Sequence, residues 1–423
     1  FDTGFQTSAT FTINGSLLLQ NGLVNVRGQV MDKDGAVVDG FFSFTVVDVP
    51  PVLTVKGATT GQEGSTYVLD LDAHDVGKDV LKTWEVDWGD NTVSRFTVDP
   101  ASPDGNRLVV NHVYADNGVY AITVKATDNN GSYQTSGPQV TVSNVAAAFV
   151  NPQILPAVID ENGSTRIAGR ITDPGVLDTF VLSVDWGDGS PVQQFQLAAG
   201  TSNFDFAHQY LQDGRYSVVI TVIDKDSTVP VAAGQATFAV TVNNIAPVAG
   251  PLVVQPAVTQ EGNSVTVFGS YTDIGTLDSH TVWIDWGDGT VMSSIDPDTT
   301  IVIDAVNRTY SATHRYLDNP AGRPDYVISA AITDEAGARS NVVTTNVVVE
   351  NTPPIFVGIA LNGVPALQLP NTGAPQPPTI TIDENGVVTV TGSFIDRGIN
   401  DTQTVTIDWG EGGAIEQAIV TRD

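Results

Sequence analysis

The sequence predicts an all-β protein, an elongated array of β-sandwich repeats joined in tandem. Three observations carry this reading. Apolar and polar residues alternate in short runs such as "LSVDW" (Leu182–Trp186) and "YSVVITVID" (Tyr216–Asp224), the period-two signature of half-buried strands. Gly, Asn and Asp turns bound these runs, giving roughly seven short strands in about 100 residues, which points to a sandwich. Finally, "TVWIDWGDGT" (Thr281–Thr290) recurs as "WEVDWGDNT" (Trp84–Thr92), "LSVDWGDGS" (Leu182–Ser190) and "VTIDWGEGG" (Val405–Gly413). Repetition at a fixed period marks an array of like units. No stretch carries a convincing 3.6-residue apolar stripe.

The elements follow in order from constant offsets. The turn tryptophans are Trp88, Trp186, Trp286 and Trp409. Upstream of each, at the same distance, stands Glu63, Glu161, Glu261 or Glu384, then Asp75, Asp173, Asp273 or Asp396, then Gly77, Gly175, Gly275 or Gly398. Asp178, Asp278 and Asp401 share the next position; the first copy has Val80 there, with Asp79 beside it. Downstream, "NHVYADNGVYAITVKATDNNG" (Asn111–Gly131) matches "AHQYLQDGRYSVVITVIDKDS" (Ala207–Ser227), and the third copy carries an insertion after Asp318. Each copy closes on a short junction beginning at Asp48, Asn144, Asn244 or Asn351, where proline often bars helix and stiffens the connection. The expected domains are therefore 1–49, the C-terminal half of a repeat; 50–146, 147–246 and 247–352, whole repeats; and 353–423, an N-terminal half. Phe1 opens the chain with no signal-like stretch behind it, as expected of a segment of a longer protein.

Composition narrows the function classes. Of 423 residues, 48 are Asp or Glu and 18 are Lys or Arg, a formal charge of −30. Such a field repels nucleic acid and anionic membranes and collects cations. With 41% hydrophobic residues the chain can pack cores, yet no apolar run approaches the length of a membrane span, so no membrane insertion is expected. The absence of cysteine excludes disulfides, thiolate metal sites and cysteine nucleophiles. A secreted chain without disulfides must be held together otherwise, and calcium is the common means.

The turn "WGDG", followed by H-x-Y and then G-x-Y-x-V-x-V-x-D, resembles the PKD domain, an immunoglobulin-like module of cell-surface and secreted proteins, and the resemblance runs over almost the whole chain. It implies tandem immunoglobulin-like sandwiches at an extracellular or cell-surface location. Asn91 and the pair Glu411-Gly412 vary the turn, and the upstream acids are spaced differently from the family's usual run.

The repeated acids admit three readings. Paired carboxylates for glycoside hydrolysis occur once per enzyme, whereas these recur with every repeat, and no nucleophile elbow, H-E-x-x-H or phosphate loop is present; the chain is not expected to be an enzyme. His112, His208 and His314 of the H-x-Y are expected to pack and hydrogen-bond. Asp90, Asp188 and Asp288 suit a tight turn, with direct metal contact as the alternative. In an immunoglobulin-like topology Glu63 and Asn144 lie at the lower end of one repeat, and Asp173 and Asp178 at the upper end of the next. Their convergence resembles the intermodule calcium sites of cadherins; a solvated acidic face capping turns is the alternative. The candidate calcium ligands are Asp48, Glu63, Asp75, Asp79, Asn144, Glu161, Asp173, Asp178, Asn244, Glu261, Asp273, Asp278, Asn351, Glu384, Asp396 and Asp401, with Asp224 and Asp226 as extras.

The function expected is a calcium-braced spacer of a surface layer, filament or adhesive stalk; the alternative is a non-catalytic region of a large secreted hydrolase. The expected partners are copies of the chain or neighbouring repeats, met head-to-tail through the half repeats, and cell-surface polysaccharide. The sequons at Asn14, Asn130, Asn162, Asn307 and Asn400 are about the chance number, and no glycan is assigned.

Overall fold

A computed structural model describes residues 8–18, 20–77, 79–99, 106–362, 364–365 and 380–421. The fold is all-β, and its only helical turns among the described residues are the short 3-10 segments Gly15–Leu17 and Ala232–Gly234. No helix is long and apolar enough to cross a membrane. The chain divides into two compact units. One takes the described residues up to Leu155 with Arg166–Ala207 and Tyr216–Ala239; the other takes Pro156–Thr165, His208–Arg215 and the described residues from Val240 onward.

In the first unit, Gly22–Met31 and Val37–Val46 form an antiparallel hairpin. Its turn is set by Asp32, whose Oδ1 accepts the N–H groups of Asp34 and Ala36. Next comes a sandwich. One sheet joins Val52–Gly57, Thr66–His74 and Arg107–Val113, all antiparallel. The other runs in the order Thr60–Gln62, Ser132–Ser143, Gly118–Thr127, Thr83–Asp87, Val93–Thr97. Between them pack Leu69, Leu71, Trp84, Val86, Trp88, Val124 and Ala126, all fully buried. Thr66–His74 buries alternate residues throughout, so the period-two pattern that predicts strands also chooses the face that leaves water. The unit also holds Ala148–Leu155, Phe180–Asp185 and Gln193–Leu197, with Phe180–Asp185 paired antiparallel to residues 219–224.

In the second unit the same arrangement recurs. Ser264–Thr272 pairs with Val253–Gln255 and Thr309–Arg315. The facing sheet has the order Val258–Gln260, Val343–Glu350, Tyr326–Asp334, His280–Asp285, Val291–Ser293. Trp286, Tyr316, Ile284 and Ile328 fill the space between them. Beyond this sandwich Ile355–Leu361 pairs with Val390–Ile395, and Thr406–Ile407 with Glu416–Gln417. Trp409 carries the same motif as the buried tryptophans but is 44% exposed.

Among the described residues Val52–Ser143 holds eight strands, against roughly seven expected, because the opening strand breaks in two. Its first piece, Val52–Gly57, pairs antiparallel in one sheet; its second, Thr60–Gln62, crosses to the other and pairs in parallel with Thr141–Ser143. Val158–Asp160 with Thr241–Asn243 and Val258–Gln260 with Val348–Glu350 repeat that parallel contact. Pro156 and Pro256 mark the break in the later copies, where a residue without an N–H ends the first ladder.

Candidate metal centres

Each parallel segment ends on a glutamate that is fixed twice. The N–H groups of Glu63, Glu161 and Glu261 donate to the carbonyls of Ser143, Asn243 and Glu350. Their Oε1 atoms accept the N–H groups of Val145 (2.6 Å), Ile245 (2.7 Å) and Thr352 (2.6 Å). The glutamate thus holds the backbone just past the last strand of its own repeat. All three side chains are buried, and every Oε2 lacks a hydrogen-bond partner.

The next copy supplies the opposing acids from the loop after its second long strand. Asp173 Oδ1 accepts the Gly175 N–H at 2.8 Å, and the Asp178 N–H donates to the Gly175 carbonyl at 3.0 Å. This tight Asx turn brings Glu63, Asp173 and Asp178 together, one oxygen from each within 4.8 Å of the others. Asp173 Oδ2, Asp178 Oδ2 and Asn144 Oδ1 are buried without a partner, as is Glu63 Oε2. Glycine is required at the centre: a Cβ on Gly175 would stand 2.5 Å from Asp178 Oδ2 and 2.9 Å from Glu63 Cδ.

The arrangement recurs with variations. Glu161, Asp273 and Asp278 form a second group, in which Glu161 Oε2, Asp278 Oδ2 and Asn244 Oδ1 are the partnerless atoms. Here His280 Nε2 lies 2.7 Å from Asp273 Oδ2, and Arg308 donates to the carbonyls of Asp273 and Gly275. The third group is Glu261, Asp318 and Asp401. Asp396 stays outside it: its Oδ2 accepts from Gln403 and its Oδ1 from the Gly398 N–H. Asp318, in the turn after the repeated H-x-Y, takes its place.

Among the described residues the remaining candidates do not form another such three-acid group. Asp48 accepts from Asn130 (3.1 Å) and Tyr133 (2.7 Å), and Asp75 from the Gly77 N–H. With Asp79 they line an open cleft of about 620 Å³, where burial and the carboxylates of Asp48 and Asp75 push Asp79 above the ordinary acid range. Asn351 and Glu384 are exposed. Asp90 and Asp288 serve the turn: Oδ1 accepts from Thr92 or Thr290, and Oδ2 meets His112 or His314 at 2.7 Å. His112 stacks on Trp88 at 4.5 Å, so the H-x-Y histidine closes the turn over the core tryptophan.

Electrostatics sets the acid groups apart from ordinary surface carboxylates. Two unit charges 4.8 Å apart repel by about 3.5 kcal/mol at an effective dielectric near 20, and each group contains three such pairs. Burial, reinforced by neighbouring carboxylates, pushes Glu63, Asp178, Glu161, Asp278, Glu261 and Asp401 above the ordinary acid range, and Asp173 up to about 6. Folding has therefore concentrated charge where water cannot dissipate it. A divalent cation would relieve this in one step. The donors are hard carboxylate and amide oxygens, with no sulfur and no imidazole in any group, which suits calcium rather than zinc or copper.

At the first junction an outer group, Asp116, Asp178 and Asp226, adjoins the inner one and shares Asp178 with it. Lys225 donates to all three carboxylates. Burial alone would lower this ammonium, but the three acids hold it well above its ordinary value. The sequence reading missed Lys225, Asp116 and Asp318; the signal available was that Asp116 and Asp318 fill one column, two residues past the tyrosine of H-x-Y.

Residues 48–142 match the family model described as PKD domain. No curated protein matches the chain. Among solved structures, it is similar to the PKD domain of an M14-like peptidase from Thermoplasmatales archaeon SCGC AB-540-F20, with 24% identity, 22% of this chain and 99% of that chain covered, and a TM-score of 0.18. It is also similar to a tetra-tandem repeat in the extending region of a large adhesion protein, with 17% identity, 78% and 82% covered, and a TM-score of 0.41. A third similar structure is a Ca2+-stabilized adhesin that helps an Antarctic bacterium reach out and bind ice, with 16% identity, 80% and 84% covered, and a TM-score of 0.22. Residues 48–142 match the PKD domain, and the repeats that follow share their motif and their strand pairing: the chain is built of immunoglobulin-like tandem repeats similar to PKD domains.

Proposed function

We propose that this chain is an extracellular structural or adhesive repeat protein whose repeat junctions are braced by calcium. One observation carries the reading. At two successive junctions a buried glutamate of one repeat and an aspartate of the next carry partnerless oxygens in three-acid groups whose ligand atoms lie within 4.8 Å of one another, and in the third group Glu261 Oε2 is partnerless beside Asp318 and Asp401. An unpaired buried acceptor costs about 1–3 kcal/mol and more when charged, so a glutamate Oε2 left partnerless in all three groups argues for a shared ligand. With Asn144, whose buried Oδ1 also lacks a partner, as a further ligand, a calcium ion bound by Glu63, Asp173 and Asp178 would tie the exit of one repeat to the loop of the next. Glu161, Asp273, Asp278 and Asn244 would do so at the second junction, and Glu261, Asp318 and Asp401 at the third. A surface layer, filament or stalk is the setting in which fixed junctions serve a purpose. Copies of the chain or neighbouring repeats are the partners this reading proposes.

Small-angle scattering from the full chain tests this. Calcium added after chelator treatment should give a longer, stiffer particle. Superimposable curves in calcium and in chelator would overturn the proposal.

A further inference from the structure

The outer acid group at the first junction differs from the inner one in a decisive respect. The inner group of Glu63, Asp173 and Asp178 leaves an oxygen of each residue without a partner. The outer group of Asp116, Asp178 and Asp226 is already organised around a positive charge. Lys225 Nζ lies 2.7 Å from Asp116 Oδ1 and 2.6 Å from Asp178 Oδ1, and also contacts Asp226 Oδ2. Asn117, with its amide turned so that its NH2 faces Asp116 Oδ1 and Asp226 Oδ2 at 2.8 Å each, completes the donors there. Three carboxylates at hydrogen-bond distance around one point make a cation position, and an ammonium with three donors fits it.

The second junction carries the same geometry with different chemistry. Gln212 stands where Asp116 does in its repeat, and Glu335 where Lys225 does. Gln212 Nε2 donates to Asp278 Oδ1 at 3.2 Å and to Glu335 Oε1. Nearby, His280 Nε2 meets Asp273 Oδ2, and Arg308 donates to the carbonyls of Asp273 and Gly275. No lysine or arginine replaces Lys225 at that position.

We infer that the Lys225 ammonium is a tethered cation occupying the outer of two adjoining cation positions at the first junction, so that a divalent ion enters only the inner position there. The inference rests on the calcium reading above and adds to it: the first junction holds one of its counter-charges permanently. Asp178 is the shared group, with Oδ1 committed to Lys225 and Oδ2 left for the ion. In metal-free solution the lysine offsets part of the repulsion among Asp116, Asp178 and Asp226, a provision the second junction lacks.

The test is calcium calorimetry on the full, chelator-stripped chain and three variants. Lys225→Met keeps the stem and removes the charge; it should bind one calcium ion more than the parent. Lys225→Arg, which keeps the charge, should bind the parent's number. Asp116→Asn combined with Lys225→Met should lose the extra ion. In chelator Lys225→Met should melt below the parent, and calcium should raise its melting temperature by more than it raises the parent's. An unchanged calcium number in Lys225→Met, retention of the extra ion in the double variant, or a Lys225→Met chain that stays unfolded in calcium would each overturn the inference. A parent chain that takes up no calcium would overturn the calcium reading itself, and this inference with it.

Discussion

Replacing Asp173 by Asn should stabilise the chain in chelator and weaken its response to calcium. The amide keeps Oδ1 as the acceptor for the Gly175 N–H at 2.8 Å. It puts an NH2 where Asp173 Oδ2 now faces the partnerless oxygens of Asp178 and Glu63. The gain follows from the carboxyl's position, since burial and neighbouring acids raise it from 3.8 to about 6. A raised carboxyl destabilises the fold above both values; the penalty is absent below pH 3.8, grows as pH rises, and is complete above about 6. At about 1.4 kcal/mol per unit the full shift corresponds to about 3 kcal/mol, and solvent screening brings this nearer 2 kcal/mol. That predicts a rise of roughly 8–16 °C in the transition of this region in chelator at pH 7.5, taking 4–8 °C per kcal/mol for a domain this small. The rise should vanish below about pH 4. With calcium the order reverses, because the variant has lost a charged ligand. Scanning calorimetry at two pH values, with calcium and with chelator, reads all four cases. An Asp173→Asn chain that melts below the parent in chelator at neutral pH would refute the account of the site as accumulated negative charge.

Three further outcomes follow. Gly175→Ala places a methyl against Asp178 Oδ2 and Glu63 Cδ, so calcium titration should lose one binding event; an unchanged count would move the ion elsewhere. Trp186→Ala should destabilise its repeat by about 3–5 kcal/mol, as large-to-small changes in a packed core do, whereas Trp409→Ala, at a position 44% exposed, should leave urea unfolding nearly unchanged. Asp288 is pushed up by burial but held below the ordinary acid value by His314 and the Thr290 N–H, which outweigh it. It therefore contributes stability above the unfolded value of 3.8 that is lost as pH falls, and Asp288→Asn should flatten the acid limb of the melting curve.

Much of this was legible in the sequence, for identifiable reasons. Strand alternation survives in Thr66–His74 because a sheet with one buried face tolerates no slip. The common offsets from Trp88, Trp186 and Trp286 already set Glu63 opposite Asp173 and Asp178, because turns at one end of a sandwich meet loops at the other end of its neighbour. What escaped lies where copies diverge. Lys225 aligns with Glu335, and Asp116 with Gln212, so neither column shows a constant residue, and one lysine in an acidic chain resembles an isolated surface charge. Asp396 keeps its motif position yet turns to Gln403 while Asp318 fills the group; that choice depends on side-chain direction, which spacing does not encode. Trp409 satisfies every local rule and still stands exposed: among the described residues the strands beside it, Thr406–Ile407 and Glu416–Gln417, form only a two-stranded sheet.

The split opening strand has a consequence for how these repeats bear tension. Thr60–Gln62 and Thr141–Ser143 lie side by side and run the same way, close to the points where the chain enters and leaves the repeat. Pulling on the two ends slides these strands along each other and strains their hydrogen bonds together, whereas a hairpin pulled at its open end parts one bond at a time. The same clamp recurs at Val158–Asp160 with Thr241–Asn243 and at Val258–Gln260 with Val348–Glu350. In each case the glutamate that points into the acid group is the residue immediately after the clamp, so an ion seated there would grip the chain where the load enters.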